Sequence, residues 1–245
     1  MRSADEFETV RRCIASGMSD HEIAVVTGVP RRTVQGWRLR PVESHRTSEK
    51  LQCGTAHDFS KLPPADYCYL LGLYLGDGCI SRMNRVWRLR IVLDAKYPSI
   101  IESCVEAINQ VMPRQHAAVQ RRTDNCVEVS LYSKHWPCFF PQHGPGKKHD
   151  RKIVLMPWQT ALVGECPEAL IRGLIHSDGC RVIANDRGVR SIRCHFTNYS
   201  DDILRIFTDA LDQLQIPWTR PTNRMVAIYR KAATARLDEF VGAKG

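Results

Sequence analysis

The chain has 245 residues, enough for two or three modules, and it can bury a core without disulfide staples. Lysine and arginine total 35 against 26 acidic residues, and the resulting charge of +9 is spread over the whole length rather than collected in a basic tail. This balance favours a polyanionic partner touched by several surfaces and excludes a disordered acidic or low-complexity chain.

Three short helices are predicted in the first forty residues. The first ends before Ser16-Gly17, a helix stop. Ser19 can cap the second helix, with Glu22 completing a capping box three residues on. Gly28 suits the turn that follows, because glycine tolerates a positive φ. The third helix is predicted over Pro30–Arg40, since proline fits a first helical position.

The segment Gly17–Trp37 resembles the homeodomain-like helix-turn-helix of resolvases and many bacterial regulators. With Val34 and Trp37 packed inward, the outer face of the third helix carries guanidinium groups and no acid. That face suits phosphates and the guanine edges of a major groove. The residues expected to bind DNA there are Arg31, Arg32, Thr33, Gln35, Arg38 and Arg40. The alternative is a three-helix bundle whose basic surface has no partner.

After a helix-turn-helix domain at 1–45, residues 46–62 lack an apolar period and are predicted to be a linker. One sequence pattern then occurs twice along the chain. Pro64–Gly78 reads as a helix ending in glycine, and Pro167–Gly179 repeats it. Each helix precedes the same series of predicted strands and helices.

Two tandem copies of one unit predict an α+β fold, a pseudo-twofold duplicated αββαββα core behind a small all-α domain. We expect the first repeat at 63–143, a connector at 144–164 and the second repeat at 165–243. The internal symmetry favours a monomer.

Within the two helices, Leu70–Gly78 (LLGLYLGDG) and Ile171–Gly179 (IRGLIHSDG) are similar to the paired motifs of single-chain LAGLIDADG homing endonucleases. The likeness covers roughly residues 63–243. It implies a double-stranded DNA partner and one metal-binding aspartate per repeat beneath the minor groove, each serving one strand. It also matches Lys134 and Lys231 to the basic residues that flank the cleavage centre in that family.

Small residues recur four positions apart in both motifs, at Gly72 and Gly76 and at Gly173 and Ser177. Residues at this spacing lie on one helix face. Small side chains there let two helix backbones approach closely, so we expect the two motif helices to pack against each other.

Asp77 and Asp178 are each expected at a helix C-terminus, where the helix dipole already disfavours a carboxylate. If the two helices pair, both carboxylates and both negative helix ends converge. A hard divalent cation such as Mg²⁺ would compensate this charge, and it can activate water and stabilise a leaving phosphodiester oxygen. The alternative is a structural role for the aspartates in Asp-Gly turns.

Alternating strands place a second group of basic residues on one face of each predicted sheet. In Trp87–Asp94 the apolar residues point inward, and in Ser191–Asn198 they do the same. The outward residues expected to bind DNA are Arg88, Arg90, Arg121, Arg122, Arg193, His195, Arg220 and Arg224. Each arginine alone is an ordinary solvated strand residue, and only their joint placement indicates a saddle for a duplex.

The ten cysteines include no C-x-x-C pair, and no secretory signal or long apolar span accompanies them. We expect reduced thiols in a cytoplasmic, nucleoid-associated protein that does not enter a membrane. The less favoured alternative is a zinc site from Cys53, His57 and Cys68, or from Cys194 and His195.

Two functions follow from these features. The leading hypothesis is a monomeric, metal-dependent, site-specific DNA endonuclease making a staggered double-strand break. The alternative is a helix-turn-helix transcriptional regulator on a non-cleaving scaffold, because the domain order resembles actinobacterial regulators with a degenerate LAGLIDADG core. Those regulators have lost the metal-binding aspartates, whereas this chain keeps both. The sixth motif position, often aspartate in the family, is Leu75 and His176 here.

Overall fold

The computed structural model describes residues 4–39 and 53–242, apart from the side chains of Ala4, Asp5, Asp186 and Val189. The chain divides into two units, residues 1–50 and 51–245. All ten cysteines are free thiols. Within the described ranges, no helix combines the length and apolarity that crossing a bilayer requires.

The described residues of the first unit form three helices: α1 (Ala4–Ala15), α2 (Asp20–Thr27) and α3 (Arg31–Leu39). Their small core is formed by four buried side chains, Val10, Ile23, Val29 and Val34. Phe7 and Trp37 pack edge to face beside it, with ring centroids 4.9 Å apart.

The predicted capping signals are present at α2. Glu22 N donates to Ser19 Oγ, and the Glu22 carboxylate accepts from Ser19 N at 2.8 Å. Gly28 ends α2 with a φ of 67°, and its N–H donates to Ala24 O. Satisfying these terminal groups locally explains why so short a helix begins and ends where the sequence predicts.

The second unit contains two copies of one helix and strand order. The first copy comprises α4 (Pro64–Leu75), β1 (Gly78–Arg82), β2 (Trp87–Asp94), α5 (Pro98–Val111), β3 (Ala118–Arg121), β4 (Cys126–Ser133) and α6 (Trp136–Phe139). The second comprises α8 (Pro167–Asp178), β5 (Gly179–Asp186), β6 (Val189–Thr197), α9 (Asp201–Gln213), β7 (Thr219–Thr222), β8 (Met225–Ile228) and α10 (Lys231–Val241). The predicted duplicated αββαββα fold is confirmed.

The connector contains a helix that the sequence analysis missed, α7 (Pro157–Glu165). It depends on distant partners. The buried amide of Gln159 donates to the Tyr67 hydroxyl at 2.7 Å and accepts from Gln142 Nε2 at 2.6 Å. Hydrogen bonds to residues 92 and 17 positions away leave no periodic trace in the connector itself.

Each copy forms a four-stranded antiparallel sheet, ordered β1-β2-β4-β3 in the first and β5-β6-β8-β7 in the second. The alternation predicted for β2 holds, since Leu89, Ile91 and Leu93 are buried against the helices. On the opposite face of the first sheet, Arg88 lies directly across from Tyr132. The helices fill one face of the sheets and leave the other to solvent.

Candidate metal centre and nucleic-acid interface

Helices α4 and α8 pack against each other at their glycines. A Cβ on Gly72 would lie 2.6 Å from Leu170 O and 2.7 Å from Leu174 N, both backbone atoms. A Cβ on Gly173 would clash with Tyr69 O in the same way, and one on Gly76 would clash with Ser177. The two backbones therefore touch where the sequence places small residues.

This packing brings the two motif aspartates to one place. Asp178 is the last residue of α8, and Asp77 follows the last residue of α4 by two positions. The Oδ2 atom of Asp178 lies 3.1 Å from the position that a Cβ on Gly76 would occupy, so its carboxylate sits against the residue that precedes Asp77. Asn198 Nδ2 donates to the same oxygen at 2.8 Å. Asp77 is exposed, and Asp178 is half-buried.

Lys148 lies at this site, although the sequence analysis did not select it. Its ammonium group donates to Gly76 O at 2.6 Å and lies 5.3 Å from the ring centroid of Tyr74. Burial lowers the pKa of Lys148 to about 8, while the charges of Asp178 and Asp77 act in the opposite direction. The connector thus places the Lys148 ammonium group where two helix C-termini and two carboxylates concentrate negative charge.

The donor set fits a hard divalent cation. Asp77 and Asp178 offer carboxylate oxygens, and Mg²⁺ is commonly held by one or two carboxylates while it keeps several waters. The exposure of Asp77 leaves room for such waters. Lys134 directly follows β4 and Lys231 begins α10, both with exposed side chains.

Equivalent arginine and tyrosine pairs mark the solvent faces of the two sheets. The guanidinium of Arg88 stacks over the Tyr132 ring at 5.2 Å, and that of Arg193 over the Tyr229 ring at 5.2 Å. His195 meets the same Tyr229 ring edge-on. A guanidinium stacked on a ring is held away from the sheet core with its N–H groups still able to donate.

Several of the arginines predicted to bind DNA are paired with acids on these faces. Arg88 donates to Glu128 and, at 3.2 Å, to Ser130. The other paired arginines are Arg90, 3.9 Å from Glu128, Arg122, 2.9 Å from Asp124, and Arg220, 2.6 Å from Asp201. Arg121 is exposed, and Arg224 stacks over Tyr199 at 4.3 Å. The sequence could have placed Glu128 on this face, because Glu128, Ser130 and Tyr132 alternate along β4 and point to the same side of the sheet.

No protein-family model matches the sequence, and neither does any curated protein sequence. Among solved structures, the chain is similar to I-DmoI in complex with DNA and Mn, with 16% identity and a TM-score of 0.50 over 74% of this chain and 98% of that one. The core has the LAGLIDADG homing-endonuclease fold. I-WcaI bound to its DNA recognition sequence aligns with 12% identity and a TM-score of 0.49, covering 83% of this chain and 90% of that one. The N-terminal LAGLIDADG domain of DUF199/WhiA aligns with 14% identity and a TM-score of 0.45, covering 82% and 92%.

In the LAGLIDADG core, the sixth motif position serves packing. Leu75 is fully buried. His176 is buried as well, its Nδ1 within 2.9 Å of the Tyr69 hydroxyl and its Nε2 within 3.0 Å of Val241 O. These bonds hold α8 to α4 and α10, which explains why an apolar and a polar side chain both suit this position.

Apart from the LAGLIDADG core, the first unit presents the residues predicted for a helix-turn-helix. Arg31, Arg32 and Gln35 are exposed on α3, and Thr33 is half-buried. The outer face of α3 carries no acid of its own, but Arg38 pairs with an acid of α2. Its guanidinium donates to Asp20 Oδ1 and to Met18 O, both at 2.6 Å. Arg38 therefore ties α3 to the start of α2, and Arg40 lies outside the described residues.

Neither zinc site considered from the sequence forms as stated. Cys68 is fully buried in α4, where burial raises its pKa to about 12. Cys194 and His195 are neighbours on β6, so their side chains point to opposite faces. Cys53 and His57 do lie together, but their companion is Cys138 at the end of the first repeat.

Proposed function

We propose that the chain is a site-specific, double-stranded DNA endonuclease that depends on a divalent cation, Mg²⁺ in the simplest case. The observation that carries the proposal is the meeting of Asp77 and Asp178 at the ends of two helices packed glycine to backbone. A purely structural pair of carboxylates would gain nothing from facing each other at two negative helix ends. The structural neighbour I-DmoI, with the same fold, was crystallised with DNA and Mn.

Asp77 and Asp178 would hold the cation, which when bound activates water and stabilises the leaving oxygen. Asn198 orients one carboxylate by donating to Asp178 Oδ2. Lys148 offsets the carboxylate charge, so that an approaching phosphate meets a smaller repulsion. In this pseudo-twofold arrangement, each aspartate would serve mainly one strand.

The sheets would position the duplex. The stacked guanidiniums of Arg88 and Arg193 stand at equivalent places in the two copies, which suits two halves of one DNA site. Exposed Arg31, Arg32 and Gln35 on α3 would add a helix-turn-helix contact in a major groove. Arginines paired with acids exchange one partner for another on binding, so Arg88, which also donates to Glu128, contributes less than Arg193.

A regulator on a non-cleaving scaffold is the second candidate, and Lys148 is the observation in its favour. Its ammonium group already supplies positive charge beside both aspartates. A scaffold stabilised by Lys148 needs no bound metal ion to keep its helices paired.

A cleavage assay on a library of duplex sites separates the two functions. Wild type is compared with Asp77→Asn and Asp178→Asn, and with Asp209→Asn on the exposed side of α9 as the matched control. We expect Mg²⁺-dependent cleavage by wild type and the control. The two site variants should bind the same duplexes at least as tightly, because a carboxylate facing phosphate is removed, and should fail to cut both strands. Wild type that binds sites and cuts none of them would establish the regulator instead.

A further inference from the structure

A second cluster of ligand side chains lies outside the aspartate site. It joins a pair at the start of the second unit, Cys53 and His57, to a pair at the start of α6, His135 and Cys138. The sequence signature is C-x3-H followed much later by H-x2-C, two short-range ligand pairs of the sort that structural zinc sites use. The sequence analysis combined Cys53 and His57 with Cys68 and did not include Cys138, because the two ligand pairs lie far apart along the chain.

The ligand atoms already converge. Cys53 Sγ lies 3.1 Å from His57 Nε2 and 3.2 Å from Cys138 Sγ. All three atoms lie within 4.8 Å of one another. Tetrahedral zinc, with Zn–S of about 2.3 Å and Zn–N of about 2.0–2.1 Å, separates its ligand atoms by roughly 3.5–3.8 Å. An ion therefore fits after the two sulfurs and the nitrogen move outward by about half an ångström.

His135 lies beside this cluster, although its ring nitrogens are not among the ligand atoms that lie within 4.8 Å of one another. Its ring lies edge-on to that of His57, with centroids 5.0 Å apart. Its Nδ1 atom is buried and has no hydrogen-bond partner in the part of the chain that the structure describes. A buried ring nitrogen normally has a partner, so this unsatisfied nitrogen makes His135 the candidate for the fourth ligand once its ring turns toward the ion.

The surroundings of the cluster favour metal over free thiols. Phe59 and Phe139 pack against His57, with centroids 5.6 and 5.1 Å away, and shield it from water. Cys53 Sγ, His57 Nε2 and Cys138 Sγ therefore lie side by side against an aromatic wall, an arrangement that suits two thiolates and an imidazole around one ion.

We propose that Cys53, His57, His135 and Cys138 bind one structural Zn²⁺. Thiolate and imidazole ligands select zinc over Mg²⁺ or Ca²⁺, which keeps this site chemically distinct from the oxygen site at the aspartates. Binding releases the two thiol protons to solvent, and two thiolates with two neutral imidazoles balance the charge of the ion. The ion clamps the segment that precedes α4 onto the end of the first repeat, 85 residues away from Cys53 along the chain.

The direct test measures zinc in the purified full-length chain, expressed with zinc in the medium and freed of loosely bound metal. Cys53→Ser and Cys138→Ser are compared with wild type and with Cys126→Ser, a half-buried thiol on β4 outside the cluster. We expect one zinc per chain in wild type and in Cys126→Ser and a loss of zinc in the two cluster variants. Zinc retained by both cluster variants would overturn the assignment.

A second measurement on the wild-type protein does not depend on the cysteine variants folding. The demetallated protein is titrated with Co²⁺, and thiolate-to-cobalt charge-transfer absorption should saturate at one equivalent. The same titration of the Asp77→Asn, Asp178→Asn double variant should be unchanged, since the aspartate site offers no sulfur. Absence of this absorption in wild type, or peptide mapping that finds Cys53 and Cys138 joined in a disulfide, would refute the proposal.

Discussion

The contact between α4 and α8 makes a quantitative prediction at Gly72. Alanine there places a methyl group 2.6 Å from Leu170 O, 2.7 Å from Leu174 N and 2.8 Å from Gly173 C. All three are backbone atoms of the facing helix, so the clash is relieved only by separating the helices. Overpacking of a core costs about 1–3 kcal/mol, and contact with three backbone atoms places Gly72→Ala at or above the upper end. Alanine's better helix propensity returns about 1 kcal/mol.

The matched control is Gly164→Ala near the end of α7, where a Cβ meets no atom within 4 Å. The same chemical change there gains helix propensity without a clash, so it should be neutral or stabilising by up to about 1 kcal/mol. Urea unfolding of both variants is followed by tryptophan fluorescence, since four of the five tryptophans lie in the second unit. We expect Gly72→Ala to be less stable than Gly164→Ala by roughly 2–3 kcal/mol. Equal stability would refute the helix pairing that brings the aspartates together.

Three further predictions concern charge. Lys148 has a pKa of about 8 in the folded chain against an ordinary value of 10.5, so unfolding takes up a proton between these two pH values. The free energy of unfolding of wild type, relative to that of Lys148→Met, should therefore rise from pH 8 to 10.5. A constant difference between the two proteins over that range would contradict this prediction. Duplex affinity in filter binding should fall for Arg193→Gln, with a salt slope shallower by about one phosphate contact. The loss should be smaller for Arg88→Gln, because Arg88 already has Glu128 as a partner, and Arg236→Gln on α10 should match wild type. A chain lacking residues 1–45 should still bind DNA, more weakly and with less salt dependence, and unchanged affinity would separate the three-helix unit from DNA binding.

Local patterns were enough to predict most of the fold. The alternation in β2, the capping box at Ser19 and Glu22 and the repeated glycine spacing each depend on residues a few positions apart. Small residues four positions apart also indicated that the two motif helices would pack against each other, because residues at this spacing lie on one helix face. The duplication then extended every local inference to a second copy.

The parts that the sequence did not reveal depend on contacts between distant segments. Lys148 reaches Gly76 O from a loop without period or motif, and its lowered pKa exists only once that loop crosses the helix ends. Cys138 joins Cys53 across 85 residues. The pairing of Arg88 with Glu128 depends on the register between β2 and β4. An alternation pattern predicts which face of its own strand a residue occupies, but it does not predict how two strands are aligned.

The central claim is that Asp77 and Asp178 form one cation-dependent centre that serves two DNA strands. The most direct measurement places a selected binding site in a supercoiled plasmid and follows its conversion in Mg²⁺. We predict that wild type linearises the plasmid, that each single asparagine variant nicks it at most, and that the double variant leaves it supercoiled while still binding the site. Wild type that binds the site and leaves the plasmid supercoiled in Mg²⁺ and Mn²⁺ alike would contradict the account.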